Sequence, residues 1–152
     1  MKKIRVGVAG YGTIGQRLAD GVALQEDMEL VGIADLAPTL SLQALRERDM
    51  IGANGVKYDL YLVDGADKAA FDAKDIPVAG TFDELCQKVD IMLDSAPGGV
   101  GAKNKENYYD KYGVKAIFQG GEKNSVADVF FHGYANYEKG LGVDYLKLTS
   151  CN

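Results

Sequence analysis

A glycine-rich turn near the amino terminus is the feature that most limits the folds open to this chain. The apolar run 3–9 (KIRVGVA) leads into GYGTIG at 10–15, and apolar residues then recur at helical spacing through 25. In such a strand–turn–helix unit the first glycine makes the tight turn, and the second lets a ligand approach the backbone. The third lets the helix pack closely on the strand. Because the helix also begins with free N–H groups, the unit predicts a phosphate-bearing dinucleotide at Gly10, Tyr11 and Gly12.

An acidic residue supports the dinucleotide interpretation. Residues 29–35 (ELVGIAD) are typical of a second strand, and Asp35 ends it about 20 residues after the glycines. A carboxylate at this place accepts hydrogen bonds from the ribose that carries adenine. It also repels a 2′-phosphate, so we expect NAD, with NADP as the alternative. The plainer alternative is a glycine-rich turn that binds nothing, with Asp35 capping a loop.

Apolar runs and helical patterns alternate along the rest of the chain, which predicts one α/β domain over 1–152. We expect a Rossmann-type, doubly wound, mostly parallel sheet with strand order 3-2-1-4-5-6, in which the carboxyl ends of the strands share one edge. The predicted strands are 3–9, 29–35, 58–64, 77–80, 90–95, 114–118 and 143–149, and the predicted helices are 13–25, 40–48, 66–73, 81–88 and 100–112. Residues 122–140 show no clear pattern.

Several short motifs follow the predicted strands and so fall on that shared edge. APGG at 96–99 contributes Pro97 and Gly98, QGGEK at 119–123 contributes Gln119 and Gly120, and Cys151 follows the last strand. Each motif alone is compatible with an ordinary turn. Their joint position beside the expected crevice favours binding and chemistry.

Composition excludes several classes of function. The formal charge is −5, and Lys and Arg form no cluster, which argues against nucleic-acid and anionic-membrane surfaces. No apolar run reaches membrane-spanning length. The two cysteines lack C-x-x-C spacing, which indicates reduced thiols in a cytoplasmic protein. With His132 as the one histidine, a zinc site is not expected. We interpret His132 as a structural or surface residue rather than a base, and Cys86 as a core residue.

Five segments together resemble one known family. They are VAGYGTIG, PGGVGAKN, IFQGGEK, ANYEKGLGVDY and the closing SCN. The chain resembles, over essentially its whole length, the NAD(P)-binding half of the archaeal-type (type II) glyceraldehyde-3-phosphate dehydrogenases. The resemblance implies that Cys151 is the catalytic nucleophile, that Ser150 and Asn152 flank the substrate with it, and that Thr13, Ile14 and Gly120 contact the cofactor.

The resemblance also implies a reaction that needs more than this chain. In the family a cysteine thiolate adds to the aldehyde of glyceraldehyde 3-phosphate, hydride passes to NAD(P), and phosphate releases the acyl group. A second domain, absent here, supplies the base, the substrate-phosphate pocket and the main subunit interface of a homo-oligomer. We therefore expect a fragment, a split gene product or an engineered half that is inactive alone.

Two other functions remain open at this stage. One is a different thioester-forming semialdehyde or acyl-phosphate reductase, although TSCN and QGGEK disfavour it. The other is a stand-alone dinucleotide-binding module or subunit that performs no chemistry. Binding of NAD alone does not separate these functions.

Overall fold

The computed structural model describes residues 1–149 as an eight-stranded sheet with the order β4-β3-β2-β1-β5-β6-β8-β7. All strand pairs in it are parallel. The strands are β1 (Ile4–Ala9), β2 (Met28–Asp35), β3 (Leu60–Leu62), β4 (Gly80–Thr81), β5 (Ile91–Asp94), β6 (Lys115–Phe118), β7 (Val129–Phe131) and β8 (Tyr145–Leu148). The Rossmann-type fold is thus confirmed, and its central six strands follow the expected order.

Helices cover both faces of this sheet. They are α1 (Thr13–Ala23), α2 (Leu40–Arg46), α3 (Lys68–Asp72), α4 (Phe82–Lys88), α5 (Val100–Asn104) and α6 (Asp110–Tyr112). A π-helical turn, Lys105–Tyr109, joins α5 to α6. The predicted start of α4 is confirmed, because the Thr81 hydroxyl accepts from the Glu84 N–H and the Glu84 carboxylate accepts from the Thr81 N–H.

Two apolar clusters fill the layers between the sheet and the helices. One packs α1, α2 and α3 on side chains such as Val8 and Ile33, and the other packs α4 and the π turn on Met92 and Phe118. Successive strand residues point to opposite faces, so a sheet covered on both sides is continuously apolar. Each fully buried large side chain contributes about 1.5–3 kcal/mol.

Residues 122–140, which show no clear sequence pattern, contain the edge strand β7. Its three residues do not alternate between apolar and polar because the exposed middle position is also apolar, Phe130. The second difference lies at 66–73, where the helix is shorter than predicted. It begins after Asp67, whose carboxylate accepts from the Ala69 N–H. At 77–80 the strand is displaced to Gly80–Thr81.

One buried tyrosine, Tyr58, fixes the segment after α2, residues 47–59. The Tyr58 hydroxyl donates to the Asp20 carboxylate at 2.7 Å and accepts from the Ala53 N–H at 3.0 Å. Asn54, at φ 56°, makes a tight turn in the chain between Ala53 and Tyr58. These bonds attach the loop to α1 and keep it away from the carboxyl edge of the sheet.

Candidate functional site

The three glycines of the first turn have three different environments. Gly10 adopts φ +86°, a left-handed conformation that disfavours other residues. A methyl group on Gly15 would overlap the carbonyl oxygen of Gly10, because helix and turn are in contact there. A methyl group on Gly12 would meet no protein atom within 4 Å. The turn therefore leaves open space at the glycine where a ligand is expected to approach.

Neighbouring strands hold this turn in place. The Gly10 N–H donates to the Ala34 carbonyl at 2.8 Å. The Ser95 hydroxyl, which follows β5, is within 2.9 Å of the carbonyl oxygens of Ala9 and Gly10. The turn after β1 is thus attached to strands on both sides, and its geometry is preorganised.

Asp35 lies beside the turn and its carboxylate already accepts two backbone hydrogen bonds. Oδ2 accepts from the Tyr11 N–H at 2.9 Å, and Oδ1 accepts from the Leu36 N–H at 2.7 Å. A carboxylate has about four acceptor positions, so it retains capacity for ribose hydroxyls. These two bonds give Asp35 the capping role that the sequence analysis left open as the plainer alternative.

The remaining residues of the motif differ in what they offer a ligand. The Tyr11 side chain is buried and packs edge-on against Tyr58 at 6.5 Å between ring centroids, and its N–H is used by Asp35. Thr13 and Ile14 are exposed at the start of α1. Of these three side chains, those of Thr13 and Ile14 are open to solvent.

The turns after β5 and β6 pack against each other. A methyl group on Gly120 would overlap the Ala96 carbonyl oxygen, and one on Gly98 would lie 2.9 Å from the Gly121 carbonyl oxygen. The Glu122 carboxylate accepts from the Gly101 N–H at 2.7 Å. Because these backbones are in contact, the Pro97–Gly98 and Gln119–Gly120 motifs form one continuous wall at the carboxyl edge, as their position in sequence predicted.

A cleft of about 480 Å³ opens between the β1, β2, β3 and β5 ends of the sheet. This volume lies in the range of small-molecule sites, roughly 300–1,000 Å³. Its walls are mainly apolar. The lining includes Gly10, Asp35, Leu36, Val63, Phe82, Ala96, Pro97, Val100, Lys103, Asn104 and Tyr108. Parallel α/β sheets bind ligands at this position, where the strand order reverses.

A more open depression of about 560 Å³ lies at the opposite edge of the sheet. The ion pair between Arg5 and Asp90, at 2.7 Å, forms part of its wall. This pairing lowers the pKa of Asp90 to about 2. The depression lies at the amino ends of β5 and β6 and has no glycine-rich turn, so we assign the site to the carboxyl edge.

A buried carboxylate lies beneath the cleft. Asp94, at the end of β5, is 1% exposed and accepts from the Asn104 amide at 3.0 Å, the Tyr109 hydroxyl at 2.6 Å and the Ala96 N–H at 3.0 Å. Burial raises its pKa, and these hydrogen bonds oppose the shift. Sequence reasoning treated Asp94 only as a strand residue; a charged residue ending an apolar strand was the available signal.

The π turn places two consecutive tyrosines in different roles. Tyr109 points into the core at Asp94, whereas the Tyr108 hydroxyl donates to the Asp64 carboxylate in the loop after β3. Burial raises the pKa of both phenols, so both stay protonated. The bond between Tyr108 and Asp64 joins two walls of the cleft.

The proposed reacting residues Ser150, Cys151 and Asn152 lie outside the described residues. Among the described ones, Cys86 is buried at 1% exposure, as predicted. His132 is exposed and its Nδ1 accepts from the Tyr134 N–H at 3.3 Å. No group of acidic, histidine or cysteine side chains within 1–149 is arranged to hold a metal ion, and no helix in that range is long and apolar enough to cross a membrane.

The two thiols should differ in reactivity. Burial raises the pKa of Cys86 to about 12, so it has almost no thiolate at pH 8, and thiolate is the species that reacts. We expect brief iodoacetamide treatment of the native protein to label Cys151 first, as mapped by mass spectrometry. Protein unfolded in urea, the control, should label at both positions. Faster native labelling of Cys86 would contradict its assignment to the core.

The chain is similar in sequence to archaeal dehydrogenases. It is 43% identical over all 152 residues to the glyceraldehyde-3-phosphate dehydrogenase of Archaeoglobus fulgidus and 46% identical over 150 residues to that of Thermococcus kodakarensis. By sequence, the chain is homologous to the amino-terminal part of these dehydrogenases. It matches the amino-terminal region and spans about 42% of the length of both relatives. No protein-family model matches the chain.

Solved structures show the same fold at low sequence identity. An aspartate semialdehyde dehydrogenase II from Vibrio cholerae aligns with 97% of this chain and 42% of its own, with a TM-score of 0.61 and 16% identity. GenD2, a protein of gentamicin A biosynthesis, in complex with NAD, aligns with 97% of this chain and 34% of its own, with a TM-score of 0.51 and 15% identity. At these identities the likeness establishes the fold.

Proposed function

We propose that the chain binds NAD at the carboxyl edge of its sheet, as the cofactor-binding part of a glyceraldehyde-3-phosphate dehydrogenase. The observation that carries the proposal is the open space at Gly12, in a turn that Gly10 and Gly15 make tight. The pyrophosphate would lie against this backbone at the amino end of α1, and the adenosine would occupy the 480 Å³ cleft. Bound NAD supplies a hydride acceptor.

Replacing Gly12 with alanine tests where the phosphates lie. The added methyl group meets no protein atom within 4 Å, so we expect the fold to remain stable to within about 1 kcal/mol. NAD should bind at least about tenfold more weakly, because the methyl group would occupy the ligand's space. Isothermal titration calorimetry measures the affinity. Gly21→Ala, whose methyl group is also unobstructed, is the control on the same helix. Unchanged affinity in Gly12→Ala would exclude this turn as the phosphate site.

The position of Asp35 favours NAD over NADP. Its carboxylate lines the cleft and is held by two backbone N–H groups, so it cannot easily turn away from a 2′-phosphate. We expect NADP to bind about tenfold more weakly than NAD at low salt, with a smaller difference at high salt. Titration of both cofactors with the wild type and with Asp35→Asn, which removes the charge, measures the effect. Equal or tighter binding of NADP to the wild type would show that Asp35 does not face the ribose.

The resemblance assigns the chemistry to the residues after β8. In the proposal, the Cys151 thiolate attacks the aldehyde of glyceraldehyde 3-phosphate, Ser150 and Asn152 flank the substrate, and inorganic phosphate releases the acyl group. Support comes from the chain order, because the carboxyl end of β8 lies at the same edge as the glycine-rich turn. A stand-alone binding module would share the cofactor site but would not need the thiol.

An exposed aromatic surface supports contact with further polypeptide. Phe130, Tyr134, Tyr137 and Leu141 are 46%, 101%, 60% and 62% exposed, around the edge strand β7. The Thr149 N–H donates to the Phe131 carbonyl at 3.2 Å, so the surface is adjacent to the end of the described chain. We propose that it is covered by the region that, in the relatives, makes up the rest of their length. A homo-oligomer is expected only for such a complete enzyme.

A further inference from the structure

β7 forms one edge of the sheet, and its outer side has no neighbouring strand within residues 1–149. Backbone groups of successive strand residues point alternately to the two sides of a strand. The Phe131 carbonyl points inward, because it accepts from the Thr149 N–H after β8 at 3.2 Å. The Phe130 carbonyl and the His132 N–H therefore point to the open side, where an added strand would bond to them.

The side-chain amide of Asn136 occupies this pairing position. Its Nδ2 donates to the Phe130 carbonyl at 2.9 Å, and its Oδ1 accepts from the His132 N–H at 2.7 Å. A residue of a neighbouring parallel strand makes the same two bonds, since its own N–H and C=O join groups that lie two residues apart. The turn before Asn136 holds it there, because its backbone N–H donates to the His132 carbonyl at 3.0 Å.

We propose that Asn136 closes this edge of the sheet against pairing with a second copy of the chain. An unpaired edge is a template for another strand. Residues 126–131 (VADVFF) carry one charge, at Asp128, and are otherwise apolar and rich in β-branched and aromatic side chains, which is typical of segments that pair between chains. A second copy offers the identical segment, so two such edges can pair symmetrically about a twofold axis.

The exposed side chain of Phe130 would favour such pairing further. It is 46% exposed at the middle of β7, and cross-strand aromatic pairs are favourable. The neighbouring side chains Tyr134, Tyr137 and Leu141 are exposed while Asn136 holds the edge, so the amide blocks backbone pairing and leaves side-chain contacts open. This role of Asn136 is independent of NAD binding.

Removal of the amide tests the proposal in the full chain. Asn136→Ala should form dimers at least about tenfold more tightly than the wild type, as measured by multi-angle light scattering over a range of concentrations. Asn124→Ala changes an exposed asparagine on the turn before β7; it is the matched control and should behave as the wild type. Equal association of all three proteins would overturn the proposal.

Amide hydrogen exchange, followed by NMR, reports on the edge directly. In dilute protein the His132 N–H should exchange about tenfold faster in Asn136→Ala than in the wild type, because its acceptor is removed. In the variant this exchange should slow again as the concentration rises and copies pair.

The wild type decides alone if circular dichroism shows that Asn136→Ala is unfolded. Slowed exchange at His132 that does not change with protein concentration would support the proposal. Exchange at the rate of an unstructured amide, or exchange that slows only as the concentration rises, would overturn it.

Discussion

Phosphate-dependent reduction of NAD by the purified 152-residue chain should stay at background, with or without the Cys151 thiol. Acyl transfer and hydride transfer require a positioned base, and such groups typically contribute about 10²–10⁴-fold to rate. Positioning of the substrate contributes further. The resemblance places that base in a second domain, so the expected loss relative to a complete relative exceeds about 10⁴-fold. The assay is NADH absorbance with glyceraldehyde 3-phosphate, phosphate and NAD.

His132 needs a direct control because it is the one histidine of the chain. Its Nδ1 accepts from the Tyr134 N–H, so the neutral ring carries its proton on Nε2 and offers a donor there rather than a base. Turnover that is lost in both Cys151→Ser and His132→Ala would contradict the prediction and identify His132 as the base.

Addition of the rest of a relative as a separate chain extends the same test. The carboxyl-terminal part of the Archaeoglobus fulgidus relative should raise the rate of the wild-type chain and not that of Cys151→Ser. The double variant Tyr134→Ser, Tyr137→Ser changes two exposed side chains and should weaken this complementation without lowering NAD affinity. Equal complementation by the double variant would show that the aromatic surface is not the contact.

Replacement of Gly15 with valine should destabilise the fold by about 3 kcal/mol or more and abolish NAD binding. Any β-carbon at 15 would overlap the backbone of Gly10 and lie 3.1 Å from the Ser95 hydroxyl oxygen. The Gly10 backbone cannot move away without separating α1 from β1. Overpacking of this kind costs about 1–3 kcal/mol even where side chains can adjust. Thermal and urea unfolding measure the stability.

Gly12→Val is the matched control for this change. It introduces the same side chain three residues earlier, where a β-carbon meets no protein atom within 4 Å. We expect it to lose NAD binding while retaining most of its stability. If Gly15→Val were as stable as Gly12→Val, the close packing of helix and turn would not hold in solution.

The fold was predictable because it depends on patterns that the chain repeats. Strands and helices alternate with clear periods, and the carboxyl-edge rule brought residues 97–98 and 119–120 together from their positions alone. In the structure Gly120 lies against the Ala96 carbonyl, and Gly98 lies against the Gly121 carbonyl. The helix start at Thr81 was predictable for a similar reason, since its capping box involves residues three apart.

The parts that were not predictable depend on contacts between distant residues. Asp94 can stay buried at the end of β5 because Asn104 of α5 and Tyr109 of the π turn donate to it. The π turn between α5 and α6 changes which side chains share a helix face. A search for 3.6-residue periodicity treats 100–112 as one regular helix and so does not reveal it. Edge strand β7 is short and carries Phe130 at its exposed position, so its sequence shows no alternation of apolar and polar residues. A capping role for Asp35 was open from sequence, but its partner, the Tyr11 N–H of the first turn, was not identified.

The strand order at one side of the sheet sets an order of events during synthesis. β7 is made before β8, yet β8 lies between β6 and β7 and provides the pairing that attaches β7 to the sheet. Until residue 148 has left the ribosome, β6 and β7 both present unpaired edges, which other chains can join. The β6-β8-β7 side of the sheet therefore closes in a single late step. A nascent chain that stalls before β8 is the species that most needs a chaperone.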